Sequence, residues 1–312
     1  MKTRAVEFYS CGTKIVGNVN LPDDYKEGTK LPCIIPCSGF TGINAVYPAL
    51  LSRLFTAHGY ACVAFDYRGW APSEGEAGVT SFDGEYEDIE SAYIFAQQQP
   101  EIDPNNIALF GWGMAAPIVI KVGAYNRGIK CVGVGNGFYN GERMARVIFS
   151  PEEYKAKEKA AHEDYVRRVL TGETEKINCY AFMNSDTNGG QAGYIDNTLD
   201  NLTKELPSIL ERDYGGKDNF PPKHSWAYWD YSLRIDAEEY VQKLAPRGLF
   251  IAYGKNDMVY DPYEARCLFA AAGDGKVLYE VDGCHNDWMF DHHPEFVKFG
   301  KELVKFYDSY MK

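Results

Sequence analysis

The chain lacks most of the features that assign a function at sight. No stretch of its 312 residues contains the about 18 consecutive apolar residues that a membrane-spanning helix requires. No Lys/Arg stripe is present, and 32 basic residues stand against 44 acidic ones, a net charge of −12. Such a balance argues against nucleic acid or an anionic membrane as the main partner. Its eight cysteines include no C-x-x-C pair and no cysteine/histidine ladder of zinc-finger spacing. Several lie inside apolar runs (Cys33, Cys62, Cys131, Cys267) and read as buried, reduced thiols of a cytoplasmic protein. Met1 to Gly12 has no apolar segment of the signal-peptide kind. There is no phosphate loop, dinucleotide fingerprint or metal-ligand set, so no cofactor is expected.

What is present is the rhythm of an α/β protein. Ala5 to Tyr9 and Lys14 to Asn20, separated by Cys11-Gly12-Thr13, predict an antiparallel hairpin. Leu31 to Cys37 predicts a buried strand that runs into Ser38-Gly39-Phe40-Thr41-Gly42. Tyr47 to His58 carries Leu50, Leu51, Leu54 and Phe55 on one helical face and stops at Gly59. Tyr60 to Asp66 is a continuous apolar run, the pattern of a strand covered on both sides. Glu85 to Gln98 predicts a helix, Asp103-Pro104-Asn105-Asn106 a turn, and Ile107 to Phe110 a strand. Ala115 to Tyr125 then reads as a helix and Cys131 to Gly135 as a strand.

From Asn136 to Leu233 the texture changes to a polar, Tyr-rich, mostly helical stretch, with Glu152 to Leu170 its plainest helix. Strands return at Gly248 to Tyr253 and Lys276 to Val281, and Pro294 to Tyr310 closes the chain as an amphipathic helix. The expected organisation is a core of residues 1–135 and 234–312 with a helical cap, 136–233, inserted in it.

Five short motifs follow predicted strands in order. They are Cys37-Ser38-Gly39-Phe40, Asp66-Tyr67-Arg68-Gly69, Gly111-Trp112-Gly113-Met114-Ala115, Gly254-Lys255-Asn256-Asp257 and Gly283-Cys284-His285-Asn286-Asp287-Trp288. On these the chain resembles the α/β-hydrolase superfamily, in particular the dienelactone hydrolase and X-prolyl/cocaine-esterase-like branch with its polyketide-processing members. The resemblance spans both ends of the chain and skips the middle. It implies an α/β-hydrolase fold, a mostly parallel central sheet flanked by helices, and a site read in the chain order nucleophile, acid, histidine. Gly113, Asp257 and His285 fall in that order. Asp261 is a local rival to Asp257, while His292 and His293 precede a helix and read as solvated. The backbone N–H groups of Met114 and Phe40, with Thr41 as an alternative to Phe40, correspond to the family's oxyanion donors.

One departure is specific: the middle of the G-x-S-x-G pattern is Gly113, and its last glycine is Ala115. Without a hydroxyl there, no serine acyl-enzyme forms. Three readings remain. In the first, His285 held by Asp257 moves protons directly, activating water or driving a lyase- or cyclase-type step. The second is a serine hydrolase inactivated by Ser→Gly at position 113, and the third a non-catalytic binder. A cysteine nucleophile from elsewhere is a further alternative: Cys37 lies at the oxyanion loop and Cys284 adjoins His285, but neither sits on an elbow, and a buried apolar thiol is the commoner state. Trp226, Tyr228, Trp229 and Tyr231, with Trp112, Phe40, Phe138 and Tyr139, suggest an apolar pocket. The expected ligand is a small to medium hydrophobic carbonyl compound: an ester, a lactone or a polyketide-like molecule. A homodimer is left open.

Overall fold

The computed structural model describes residues 1–39, 42–178, 206–216, 219–220 and 223–312. Strand β1 (Lys2–Ser10) turns through Cys11 and Gly12, both at positive φ, into β2 (Thr13–Leu21). That is the backbone signature of a two-residue hairpin. β3 (Leu31–Cys37), helix α1 (Tyr47–Thr56), β4 (Ala61–Phe65), α2 (Phe82–Gln97), β5 (Ile102–Trp112), α3 (Ala115–Tyr125) and β6 (Ile129–Gly135) follow. α2 begins three residues earlier than its hydrophobic spacing predicts. Ser81 caps it, its Oγ accepting the Gly84 N–H at 3.0 Å, which satisfies one of the orphan donors of a helix start.

The segment after β6 carries α4 (Gly141–Ile148), α5 (Pro151–Thr171), the two-residue strands β7 (Lys176–Ile177) and β8 (His224–Ser225), α6 (Leu206–Tyr214) and α7 (Trp226–Leu233). It is mainly helical among the described residues. The β7–β8 ribbon is a departure from the strand-free expectation. α5 opens with a capping box in which Ser150 and Glu153 bond each other's backbone. The sheet then resumes with β9 (Gly248–Gly254), α8 (Pro262–Ala271), β10 (Lys276–Val281) and α9 (Pro294–Met311).

Eight strands form one sheet in the order β1-β2-β4-β3-β5-β6-β9-β10. β1 and β2 pair antiparallel, as do β2 and β4; the five remaining pairings are parallel. The parallel strands β4 and β9 are buried at every residue, as strands covered on both faces must be. β1, at the edge, alternates buried and exposed over its second half.

The expected turn at Asp103–Asn106 is absent as a separate element. These residues continue β5, and the pairing with β3 jumps from Leu31↔Ile102 to Cys33↔Ile107. The turn-forming residues are accommodated as a bulge, with the Asn105 N–H bonded to Asp103 Oδ1 at 3.0 Å. Cys267 is only half-buried, unlike Cys33, Cys62 and Cys131, which are fully buried.

α9 locks the strand that feeds the central turn. Its Tyr307, fully buried, donates from its hydroxyl to the carbonyl of Leu109 on β5 at 2.7 Å. Leu109 is also paired in the sheet with Ile35 and Val132, so Tyr307→Phe removes one additional bond and is expected to lower unfolding stability by about 0.5–1.5 kcal/mol, read from urea melts.

Candidate active site

The parallel strands end on one side of the sheet, and the loops leaving β3, β5, β6, β9 and β10 gather there. β5 ends at Trp112, and the chain reverses at Gly113, φ +55°, before α3 starts. An L-residue in that left-handed region pays about 1–2 kcal/mol, whereas glycine enters freely. The Gly113 N–H donates to Gly135 O at 2.9 Å, fixing the turn to the end of β6. A Cβ placed on Gly113 would meet nothing nearer than Asn136 O at 3.9 Å and Gly39 Cα at 4.0 Å. The turn is therefore free in the direction a side chain would take.

Gly39, after β3, has the opposite surroundings. A Cβ there would lie 2.8 Å from the Trp112 carbonyl oxygen and 3.5 Å from the Met114 nitrogen. The β3 loop thus rests on the backbone of the turn, and only glycine permits the approach. Among the described residues the Met114 N–H has no acceptor, so one donor at the start of α3 remains available to an incoming oxyanion. Phe40 and Thr41, which the sequence places beside it, lie outside the described residues.

His285 and Asp257 come together from the loops after β10 and β9. His285 Nδ1 bonds Asp257 Oδ2 at 2.8 Å, with both residues buried. The other carboxylate oxygen accepts the Val259 N–H at 2.8 Å and the Tyr260 N–H at 3.1 Å. A buried carboxylate is costly unless its lone pairs are filled; here both oxygens are. Asp261 does different work, accepting the Tyr263 N–H at 2.8 Å at the start of α8. With Nδ1 engaged by the acid, Nε2 is the nitrogen left to exchange protons.

Aromatic rings enclose the imidazole. Trp112 lies 6.0 Å from its centroid and Tyr260 5.4 Å. Trp112 is itself buried against Tyr47 and Trp288, so it backs the histidine as a packed ring. Phe138 is buried between Phe82 and Tyr260. The hydroxyl of Tyr228 reaches Met114 Sδ at 3.4 Å while its ring stacks on Phe82. Tyr139 is buried with its N–H on Glu264 Oε2 at 2.8 Å, Trp229 packs on Phe149, and Trp226 is half-buried at the start of α7. Tyr260 is missed by motif reading because it follows the acid by only three residues and belongs to no motif.

The remaining sequence candidates separate cleanly. Burial pushes the Cys37 thiol far above its usual range, which suppresses the thiolate a nucleophile needs. His293 is not simply solvated: its Nδ1 accepts the Glu295 N–H at 3.2 Å and caps α9. His292 is exposed. Two surface cavities, of about 320 Å³ beside Phe82 and Tyr240 and about 600 Å³ beside Asp66 and Arg212, are lined by neither Gly113 nor His285.

A family model described as serine aminopeptidase, S33, matches residues 30–138, which include the β3 loop and the Gly113 turn. A relative in Escherichia coli, described as an uncharacterized 31.7 kDa protein in the traX-finO intergenic region, is 27% identical over 260 residues, 83% of this chain and 84% of its own. Among solved structures, DcsB in complex with its substrate analogue superposes with a TM-score of 0.80 at 16% identity, covering 99% of this chain and 100% of that one. The alpha/beta hydrolase GrgF from Penicillium sp. sh18 gives a TM-score of 0.77 at 17% identity, covering 100% and 99%. This chain has the α/β-hydrolase fold.

Within that fold, Asp66 at the end of β4 holds the β3 loop from behind, Oδ1 accepting the Asn44 N–H at 2.8 Å. Burial pushes its carboxyl up from an ordinary 3.8 to about 8, against the opposing pull of that hydrogen bond. Between about pH 4 and pH 8 the folded chain therefore keeps a proton that the unfolded chain has released, and stability falls as pH rises through that window. Asp66→Asn, which retains the acceptor without the titration, should flatten the pH dependence of the denaturation midpoint over this range. Glycine substitutions give a second check. Gly113→Ala should cost about 1–2 kcal/mol through backbone strain alone. Gly39→Ala should cost more, because its Cβ meets backbone that cannot move aside.

Proposed function

We propose that the chain is an enzyme of the α/β-hydrolase fold in which His285, held by Asp257, transfers protons at a site that has no serine nucleophile. The observation that carries this reading is the buried Nδ1–Oδ2 bond of 2.8 Å, with the His285 ring 6.0 Å from that of Trp112, the residue before a turn whose residue 113 contributes no side chain. In the hydrolytic form of the reaction, His285 Nε2 removes a proton from water as the water attacks a carbonyl carbon. The Met114 N–H stabilises the oxyanion, and the imidazolium returns the proton to the leaving group. In the lyase or cyclase form, the same nitrogen takes a proton from the substrate and the same donor stabilises the enolate. The substrate class is a small to medium hydrophobic carbonyl compound, an ester, lactone or polyketide-like molecule. The aromatic rings of Tyr260, Phe138 and Tyr228 support that class, and segment 136–233 serves as the cap.

A second reading has one observation in its favour. The φ of +55° at Gly113 and the free space along its Cβ direction are what a serine at an elbow would use. A serine hydrolase that has lost only its nucleophile therefore also fits the geometry.

Turnover by three proteins separates these readings: the chain as it stands, His285→Ala and Gly113→Ser, each assayed on an ester panel and on hydrophobic secondary metabolites. The proposal expects the unaltered chain to turn over a member of the second set, and His285→Ala to lower kcat/KM by about 10²–10⁴-fold. Activity that appears only with Gly113→Ser would establish the second reading instead. Tight binding without turnover by any of them would make the chain a binder.

A further inference from the structure

Asn136 is the first residue beyond β6, buried, and one of two non-glycine residues at positive φ among those described, at +43°. It touches all three segments that make the site. Its N–H donates to Ala252 O on β9 at 3.0 Å, and its side-chain Oδ1 accepts the Gly254 N–H at 2.8 Å, at the strand end that leads to Asp257. Its Nδ2 donates to the carbonyl oxygens of His285 and, at 3.3 Å, of Cys284. Its own carbonyl oxygen is the nearest atom to the Cβ direction of Gly113, at 3.9 Å. The neighbouring Gly135 O receives the Gly113 N–H.

No other residue type reproduces this set. The amide must accept on one side and donate twice on the other, and the backbone must sit where asparagine is better tolerated than other side chains. Glycine would meet the backbone requirement but make none of the side-chain bonds. Aspartate would keep the acceptor toward Gly254 and set a carboxylate oxygen against two carbonyls. A residue present only to close the strand end could be glycine.

We propose that Asn136 is a positioning residue for His285: its amide sets the height and orientation of the His285 backbone against Asp257 and the Gly113 turn, and so holds the imidazole in line for proton transfer. This inference rests on the reading of His285 as the base.

The test uses two signals. One is the low-field proton resonance of the His285 Nδ1–H···Asp257 bond, read in the otherwise unaltered chain. The other is the rate at which a fluorophosphonate labels Gly113→Ser. Asn136→Gly should fold, judged by its circular dichroism melt. It should also broaden or abolish the proton resonance and slow labelling of the Gly113→Ser background by tenfold or more. Asn136→Asp, which changes the bonding without a glycine's added chain freedom, should give the same losses. A resonance and a labelling rate that stay within twofold in either folded variant would overturn the proposal, because Asn136 would then serve the backbone conformation only. The underlying reading has its own control. If His285→Ala leaves labelling of Gly113→Ser unchanged, His285 is not the base, whereas the resonance still decides whether Asn136 orients it.

Discussion

The hydrogen bond between His285 Nδ1 and Asp257 Oδ2 joins two loops whose strands lie side by side at the edge of the sheet. β9 and β10 run parallel, with Gly254 opposite Val281, so the loops after them leave from the same level and in the same direction. Antiparallel neighbours would send them to opposite ends. The bond persists in the interior because Asp257 has every oxygen occupied, by two backbone N–H groups and the imidazole. A carboxylate that is fully paired pre-sets both tautomer and ring orientation before any substrate arrives.

The rest of the site depends on close approaches of backbone. Gly39 lets the β3 loop lie on the Gly113 turn, and Asp66 secures the far end of that loop through Asn44. Gly113 itself takes the left-handed turn without strain because it has no side chain. On the proposed reading, these features make a frame that holds a donor, Met114 N–H, and a base, His285, on the same side of the sheet. On that reading, the missing hydroxyl removes the serine acyl-enzyme route and leaves the Met114 N–H and the His285–Asp257 pair for the electrostatic and acid–base parts. When a member of a triad is deleted, the oxyanion hole and substrate binding alone retain part of the rate acceleration.

The sequence made much of this legible, for identifiable reasons. Parallel strands buried on both faces read as unbroken apolar runs, so β4 and β9 were visible, and the five glycine-bearing motifs marked the strand ends. The hydrogen bonding resolved what motifs left open: Asp257 faces His285, and Asp261 caps α8. Asp103–Asn106 misled because turn-forming residues also suit a bulge, and pairing with β3 decided between the two. Asn136 and Tyr260 were invisible as site residues. Their roles come from long-range contacts, across 149 residues between Asn136 and His285, which no local pattern encodes. His293 read as solvated because its capping bond depends on the exact start of α9.

The proposed mechanism requires His285, held by Asp257, to stand within reach of a side chain placed at position 113. The most direct measurement is the crystal structure of Gly113→Ser at a resolution that fixes side-chain rotamers. The expected result is an undisturbed turn, with the new hydroxyl within about 2.6–3.2 Å of His285 Nε2 and Nδ1 still on Asp257. A hydroxyl out of reach of His285, with the imidazole turned away from Asp257, would contradict it.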